Sequence, residues 1–217
     1  MGNTILLLNN TNNYILGFFY LINWAIIKKI LIHECKINNK LLIDNMISII
    51  HSFILSIYGI YKLHFSNFNN TNGCIHIIFI TLSYFIHDII NIKINKANIS
   101  FIIHHLLAIL LVFCSINKEY IYPLVAQFSL IEISSIFLNI GYVLNILNCK
   151  NSLLYKINKY LFATMFFIVR IIWMPYLLCK FILYKKISDI NSAEWCVIFL
   201  GLLNFVWFKY IISKICK

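Results

Sequence analysis

The chain has 217 residues, 61% hydrophobic, 16% aromatic and only 12% charged, with a mean hydropathy of +0.84. Soluble domains are roughly half apolar and about a quarter charged, so this composition excludes a water-soluble globule, a disordered chain, a collagen and a small disulfide scaffold. The formal net charge of +11 excludes nothing comparable: the lysines stand at the ends of apolar stretches, as topology signals do, and form no basic surface for nucleic acid.

Seven stretches reach the roughly 17 to 25 residues that cross a bilayer. They are 14–32, 41–63, 74–92, 99–116, 120–147, 161–184 and 193–212. The expected fold class is therefore all-α, a polytopic transmembrane helix bundle of about seven spans. The first stretch follows the polar run Asn9–Asn13 and precedes no small-residue cleavage site, so it reads as a retained helix and not a signal peptide. The organisation is a lumenal segment with the first helix over 1–39, a six-helix domain over 40–213, and a short tail over 214–217.

Lysines set the orientation. Lys28, Lys29, Lys36, Lys40, Lys93, Lys96, Lys150, Lys156, Lys159, Lys209, Lys214 and Lys217 collect on one side, twelve in all. Lys62, Lys118, Lys180, Lys185 and Lys186 collect on the other. This bias predicts a lumenal amino terminus and a cytosolic carboxyl terminus. The sequons at Asn9 and Asn69 then face the lumen, and the one at Asn98 faces the cytosol. The seven cysteines are scattered, without C-x-x-C or metal-type spacing, and no metal is expected. Cys35, Cys149 and Cys216 are juxtamembrane candidates for palmitoylation.

Polar residues inside the spans are costly and should face the bundle interior. In the second span Asp44, His51, Tyr58 and Lys62 share a helical face, with Ser48 beside it. In the third, His76, Ser83 and His87 share a face and Asp88 follows. The fourth carries His104-His105; adjacent helical residues point about 100° apart, so at most one aims squarely at the centre. The fifth holds Glu132, Ser135 and Asn139. The sixth holds Arg170 and then Pro175, which cannot donate to the Ile171 carbonyl and should kink the helix. The seventh holds Asn204, followed by Trp207-Phe208. Interhelical hydrogen bonding accounts for Ser48, Ser83, Ser135 and Asn139. Glu132 and Arg170 read as a buried ion pair. His87-Asp88 and His104-His105 carry more polarity than packing needs, and imidazole can act as a base or a ligand. The histidine boxes of membrane desaturases are absent, position 101 being Phe, and so is H-E-x-x-H.

Taken in order, Ile50-His51-Ser52, Tyr84 to Asp88, His104 to Ala108, Glu132 to Asn139, Phe166 to Pro175 around Arg170, and Leu203 to Phe208 resemble the TLC family, named for translocating-chain-associating, longevity-assurance and ceroid-lipofuscinosis proteins. The resemblance covers about residues 40–213. It implies a helical bundle with a cavity opening toward lipid. Ceramide synthases of this family follow the paired histidines with paired aspartates one span later. Here His104-His105 is kept, but Glu132 and Ser135 stand where the acidic pair is sought, which resembles instead the small members tied to membrane lipid composition.

The reading that results is a protein of lipid handling or membrane lipid homeostasis in the endoplasmic reticulum. Its partner is a membrane lipid, without nucleic acid or cofactor, held by His51, His87, His104, His105, Glu132, Arg170 and Asn204. Whether it is an enzyme stays open, with the balance against. As an acyl-CoA-dependent N-acyltransferase it would use acyl-CoA as co-substrate. His104 or His105 would then take the amine proton, with Asp88 or Glu132 orienting the ring. A third reading is a cargo receptor or membrane-protein chaperone.

Overall fold

The computed structural model describes residues 2–34, 36–37, 39–66, 73–92, 94–95, 98–116, 122–182 and 190–215, with side chains from residue 15 onward except 65–66, 115, 122–123 and 181–182. The lysines at 93, 96, 118, 185, 186 and 217, the sequon at Asn69, and Cys35 and Cys216 lie outside the described residues. So does the side chain of Asn9.

Every regular element among the described residues is helical. The helices are α1 (Gly2–His33), α2 (Lys40–Tyr61), α3 (Cys74–Asn91), α4 (Ile99–Ser115), α5 (Tyr122–Ser129), α6 (Ile133–Ile146), α7 (Leu153–Phe166), α8 (Met174–Ile182) and α9 (Ser192–Ile215). Six continuous helical stretches are long and apolar enough to cross a membrane, among them Leu124–Ile146 and Leu153–Lys180, each built from more than one element. The seventh, α4, has 17 residues. At 1.5 Å per residue it reaches about 25 Å, short of the roughly 30 Å hydrocarbon core. The chain is thus a polytopic helical membrane bundle.

The six stretches after α1 form a closed ring. In order around it stand α3, α4, α9, α7 with α8, α6 with α5, and α2, which meets α3 again. Helix α1 lies outside the ring against α2 and α3 and is firmly tied to them. Trp24 is buried and its indole N–H donates to Ser83 Oγ at 3.1 Å. Lys28 donates to Asn91 Oδ1 at 2.6 Å and sits 3.5 Å from Asp44. The lipid-facing side of the ring carries large apolar residues such as Phe113, Leu153 and Val206, all well exposed, as expected where the surroundings are hydrocarbon.

Two spans are interrupted, one by a tighter helical turn and one by a wider one. The fifth span changes to a 3₁₀ turn at Leu130–Glu132 between α5 and α6. Gly59 of α2 makes room for this turn, since a Cβ there would fall 2.9 Å from the Leu130 side chain and 3.0 Å from its backbone nitrogen. The sixth span begins at Leu153, not 161, because Ser152 caps the helix by accepting from the Tyr155 N–H at 3.1 Å. Lys156 in its first turns stays exposed, so the charge is not buried by the earlier start. Past Phe166 the span widens into a π-helix over Phe167–Trp173, closed by a bond from the Met174 N–H to the Val169 carbonyl. Pro175 follows directly. The wide turn is how this helix accommodates the donor that proline lacks.

Candidate functional site

A cavity of about 120 Å³ lies inside the ring, with lining residues from each of the six ring stretches, though none from α6 or α7 themselves, and none from α1. Most of its wall is apolar, including Ile77, Val112, Leu124 and Val197. Its polar residues include His104, Glu132, Arg170 and Asn204. Depth separates the two groups. The helices alternate in direction, so the starts of α3, α5 and α9 and the ends of α4 and α8 share the face opposite the chain's C-terminus. Counted inward from the ends of their own spans on that face, at 1.5 Å per residue, Glu132, Arg170, His104 and Asn204 lie about 12 to 18 Å deep. That is close to half of the roughly 30 Å core. Ile77, Val112, Leu124 and Val197 lie nearer the face. The cavity therefore has a polar floor at mid-depth and apolar walls above it.

Arg170 organises the floor. The π-helical turn carries it, and its guanidinium is buried. Nε donates to Ser134 Oγ at 2.8 Å, NH2 donates to Ser135 Oγ at 2.9 Å, and NH1 donates to Asn204 Oδ1 at 3.2 Å. NH2 also lies 3.6 Å from Glu132 Oε1, and the group sits 5.4 Å from the centre of the Phe166 ring. Asn204 passes its own amide donor to Met174 Sδ at 2.9 Å. Glu132 ends the 3₁₀ turn, and its second oxygen accepts from Ser52 Oγ at 3.5 Å. A buried charge is tolerated only when paired and hydrogen-bonded; here three of the five guanidinium N–H groups donate hydrogen bonds, and Glu132 stands at ion-pair distance. The expected ion pair is present.

The adjacent histidines divide as the 100° rotation requires. His104 faces the cavity, its ring 5.2 Å from Trp207, and its Nδ1 is buried without a partner. His105 turns away and does not line the cavity. Its Nδ1 lies 2.7 Å from the Phe101 carbonyl, an acceptor, so Nδ1 carries a hydrogen. Its Nε2 lies 3.0 Å from Asp88 Oδ2. Asp88 therefore orients His105 and not the cavity-facing ring. The two imidazoles meet edge to face at 5.5 Å.

The remaining residues expected at the site lie elsewhere. His51 is fully buried, stacked on Tyr84 at 3.8 Å, and both its nitrogens lack a hydrogen-bond partner. It lies between α1 and the cavity, with Trp24 6.1 Å away. His87 stands at the C-terminal end of α3 beside Asn91, whose amide approaches Nε2 at 3.3 Å. So the structure gathers His104, Glu132, Arg170 and Asn204 on one floor, and sets His51, His87, His105 and Asp88 in the packing between α1, α2, α3 and α4. Among the described residues no group of three or more His, Cys, Asp or Glu stands close enough to hold a metal.

Sequence reasoning passed over several floor residues. Ser134 and Ser52 are direct partners of the charged pair, and each neighbours a residue already singled out, which was the available signal. Met174 as an acceptor and Ala108 as the small residue that leaves the cavity open gave none.

The family model for the TLC domain matches residues 42–213 of this chain. Mouse TLC domain-containing protein 1 is 29% identical over 136 residues, covering 60% of this chain and 55% of that protein. The human protein of the same name is 31% identical over 123 residues, or 55% and 48% of the two. TLC domain-containing protein 4 A of Dictyostelium discoideum is 30% identical over 185 residues, 79% of this chain and 71% of that protein. The matches thus span about half the length of the TLC domain-containing protein 1 relatives.

Proposed function

The chain belongs to the TLC domain family, and we propose that it handles a membrane lipid, with its ring cavity as the binding site. The observation that carries this reading is the division of the cavity into a polar floor of His104, Glu132, Arg170 and Asn204 and apolar walls between that floor and one membrane face. Pockets for small amphiphiles combine mostly apolar lining with a few convergent polar groups in this way. The role would be binding, sensing or turnover of a lipid in membrane lipid homeostasis. The compartment proposed is the endoplasmic reticulum, with the C-terminus in the cytosol, the side on which most lysines gather.

The test is a lipid profile of cells lacking the protein, followed by rescue. Wild-type protein should restore the profile. Ala108→Phe, which puts a ring into the cavity, should fail to restore it at equal abundance. Equal rescue by both would reject the pocket as the site.

An acyltransferase reading has one observation in its favour, the His104 imidazole in the cavity lining. His104 would serve as the base, although the carboxylate that orients an imidazole here, Asp88, is bonded to His105. Purified protein given acyl-CoA and a sphingoid base should form ceramide if this reading holds, and His104→Ala should abolish it.

A further inference from the structure

The floor of the cavity restricts the chemistry of its occupant. Glu132 and Arg170 lie 3.6 Å apart, so their charges cancel. The guanidinium is largely spent on Ser134, Ser135 and Asn204. One of the two amide hydrogens of Asn204 goes to Met174, which leaves the second. What remains is one amide hydrogen of Asn204 and the accepting capacity of Glu132. A carboxylate offers about four lone-pair positions, and Glu132 meets only Ser52, Ser135 and the guanidinium. Asn204 stands on the same guanidinium as Glu132, bonded to its other end.

A charged head would add a net charge at mid-depth in the membrane, which hydrocarbon surroundings penalise. An ester or ether only accepts, so it could meet Asn204 but would leave the open positions of the carboxylate unmet. A hydroxyl or an amide can donate to Glu132 and accept with its oxygen from the remaining amide hydrogen of Asn204. Size narrows the occupant further. The cavity, about 120 Å³, compares with apolar cavities of about 150 Å³ that hold one benzene. That is room for a head and the first few carbons of one chain, with the rest leaving along the apolar walls.

We propose that the cavity takes an uncharged single-chain amphiphile whose head donates a hydrogen bond, a hydroxyl or an amide, placed against Glu132 and Asn204. This rests on the lipid-pocket reading above and specifies its ligand class. The test uses the full chain in nanodiscs and a hexadecanol carrying a photoactivatable diazirine. Competitors of the same chain length are the alcohol, the primary amide, the methyl ester, the carboxylate and the trimethylammonium, compared at equal mole fraction in the bilayer. The alcohol and the amide should suppress labelling at roughly ten-fold lower levels than the ester, the fold-change expected when a buried polar group is left without its partner. Labelled peptides should come from α4, α5 or α9. Equal competition by the ester, stronger competition by either charged compound, or no saturable labelling by the alcohol would each overturn the assignment of the head. If one of the other heads competes and Ala108→Phe removes that competition, the pocket reading survives this loss. If Ala108→Phe changes no ligand's labelling, or the label maps only to the lipid-facing side of the ring, the pocket reading falls as well. Peptide mapping on the native protein decides that point should the variant fail to accumulate.

Discussion

Arg170 has neutral partners that Glu132 does not share, and this makes the two halves of their pair unequal. Glu132→Gln leaves the guanidinium bonded to Ser134, Ser135 and Asn204. Arg170→Met leaves a buried carboxylate with hydroxyl partners only. Stranding one member of a buried pair costs about 3–5 kcal/mol, so both variants should accumulate less in membranes, Arg170→Met more severely. The double variant should recover part of the loss; additive losses on an immunoblot would show that the two do not interact. The histidines should separate as their partners do. His105→Ala strands Asp88 and should lower abundance. His104→Ala removes a ring without a hydrogen-bonded partner at Nδ1 and should change the lipid profile at near-normal abundance. Abundance and lipid profile measured in the same cells decide this, and equal loss of protein in both variants would refute the distinction. At this scale the polar residues expected to face inward divide: His51, Lys62, His105 and Arg170 are buried, Asp44, His87, Asp88, His104 and Glu132 half-buried, and His76 exposed. The sequence left open which of two neighbouring histidines faces inward, because that depends on the rotation of α4 against five other helices.

Among the elements, the spans that read most clearly are those whose apolar face meets lipid all along their length. Their boundaries follow from composition because hydrocarbon penalises every misplaced charge. The 3₁₀ turn at Leu130–Glu132 and the π-helix at Phe167–Trp173 were not legible in this way. Both are compromises between neighbouring helices, and only Pro175 announced one of them. They also carry the chemistry, since Glu132 ends the first and Arg170 sits in the second. The close approach of α2 to the 3₁₀ turn depends on Gly59. Its nearest neighbours include the Leu130 backbone, which cannot rotate away as a side chain can. Gly59→Ala should therefore destabilise the bundle by about 1–3 kcal/mol, as overpacking does, and should shift Glu132 relative to Ser52. A lower melting temperature of the purified protein is the expected readout; an unchanged one would mean that α2 can move aside.

For the whole molecule, the ring was not written in any one segment. The sequence showed the number of apolar stretches and the polarity each had to hide. It did not show that α1 stands outside the ring, since Trp24, Lys28 and Tyr20 find their partners on α2 and α3, far along the chain. Orientation remains a matter of charge. Along the face that carries the C-terminus, α1, α2, α7 and α9 bring Lys28, Lys29, Lys40, Lys156, Lys159, Lys209 and Lys214. We expect that face to be cytosolic. A reporter placed after residue 217 should be digested by protease in sealed microsomes, and the sequon at Asn98 should stay unglycosylated. A protected reporter would reverse the orientation and leave the fold untouched.

The pairing of Glu132 with Arg170 has a further, electrical consequence. A unit charge carried across a whole membrane exchanges about 2.3 kcal/mol for every 100 mV of transmembrane potential. Opposite charges whose contacting atoms lie 3.6 Å apart span only a small part of a roughly 30 Å core. Reorienting the pair can therefore exchange a few tenths of a kcal/mol at most. An uncharged occupant adds nothing to that sum. Such a site is blind to voltage.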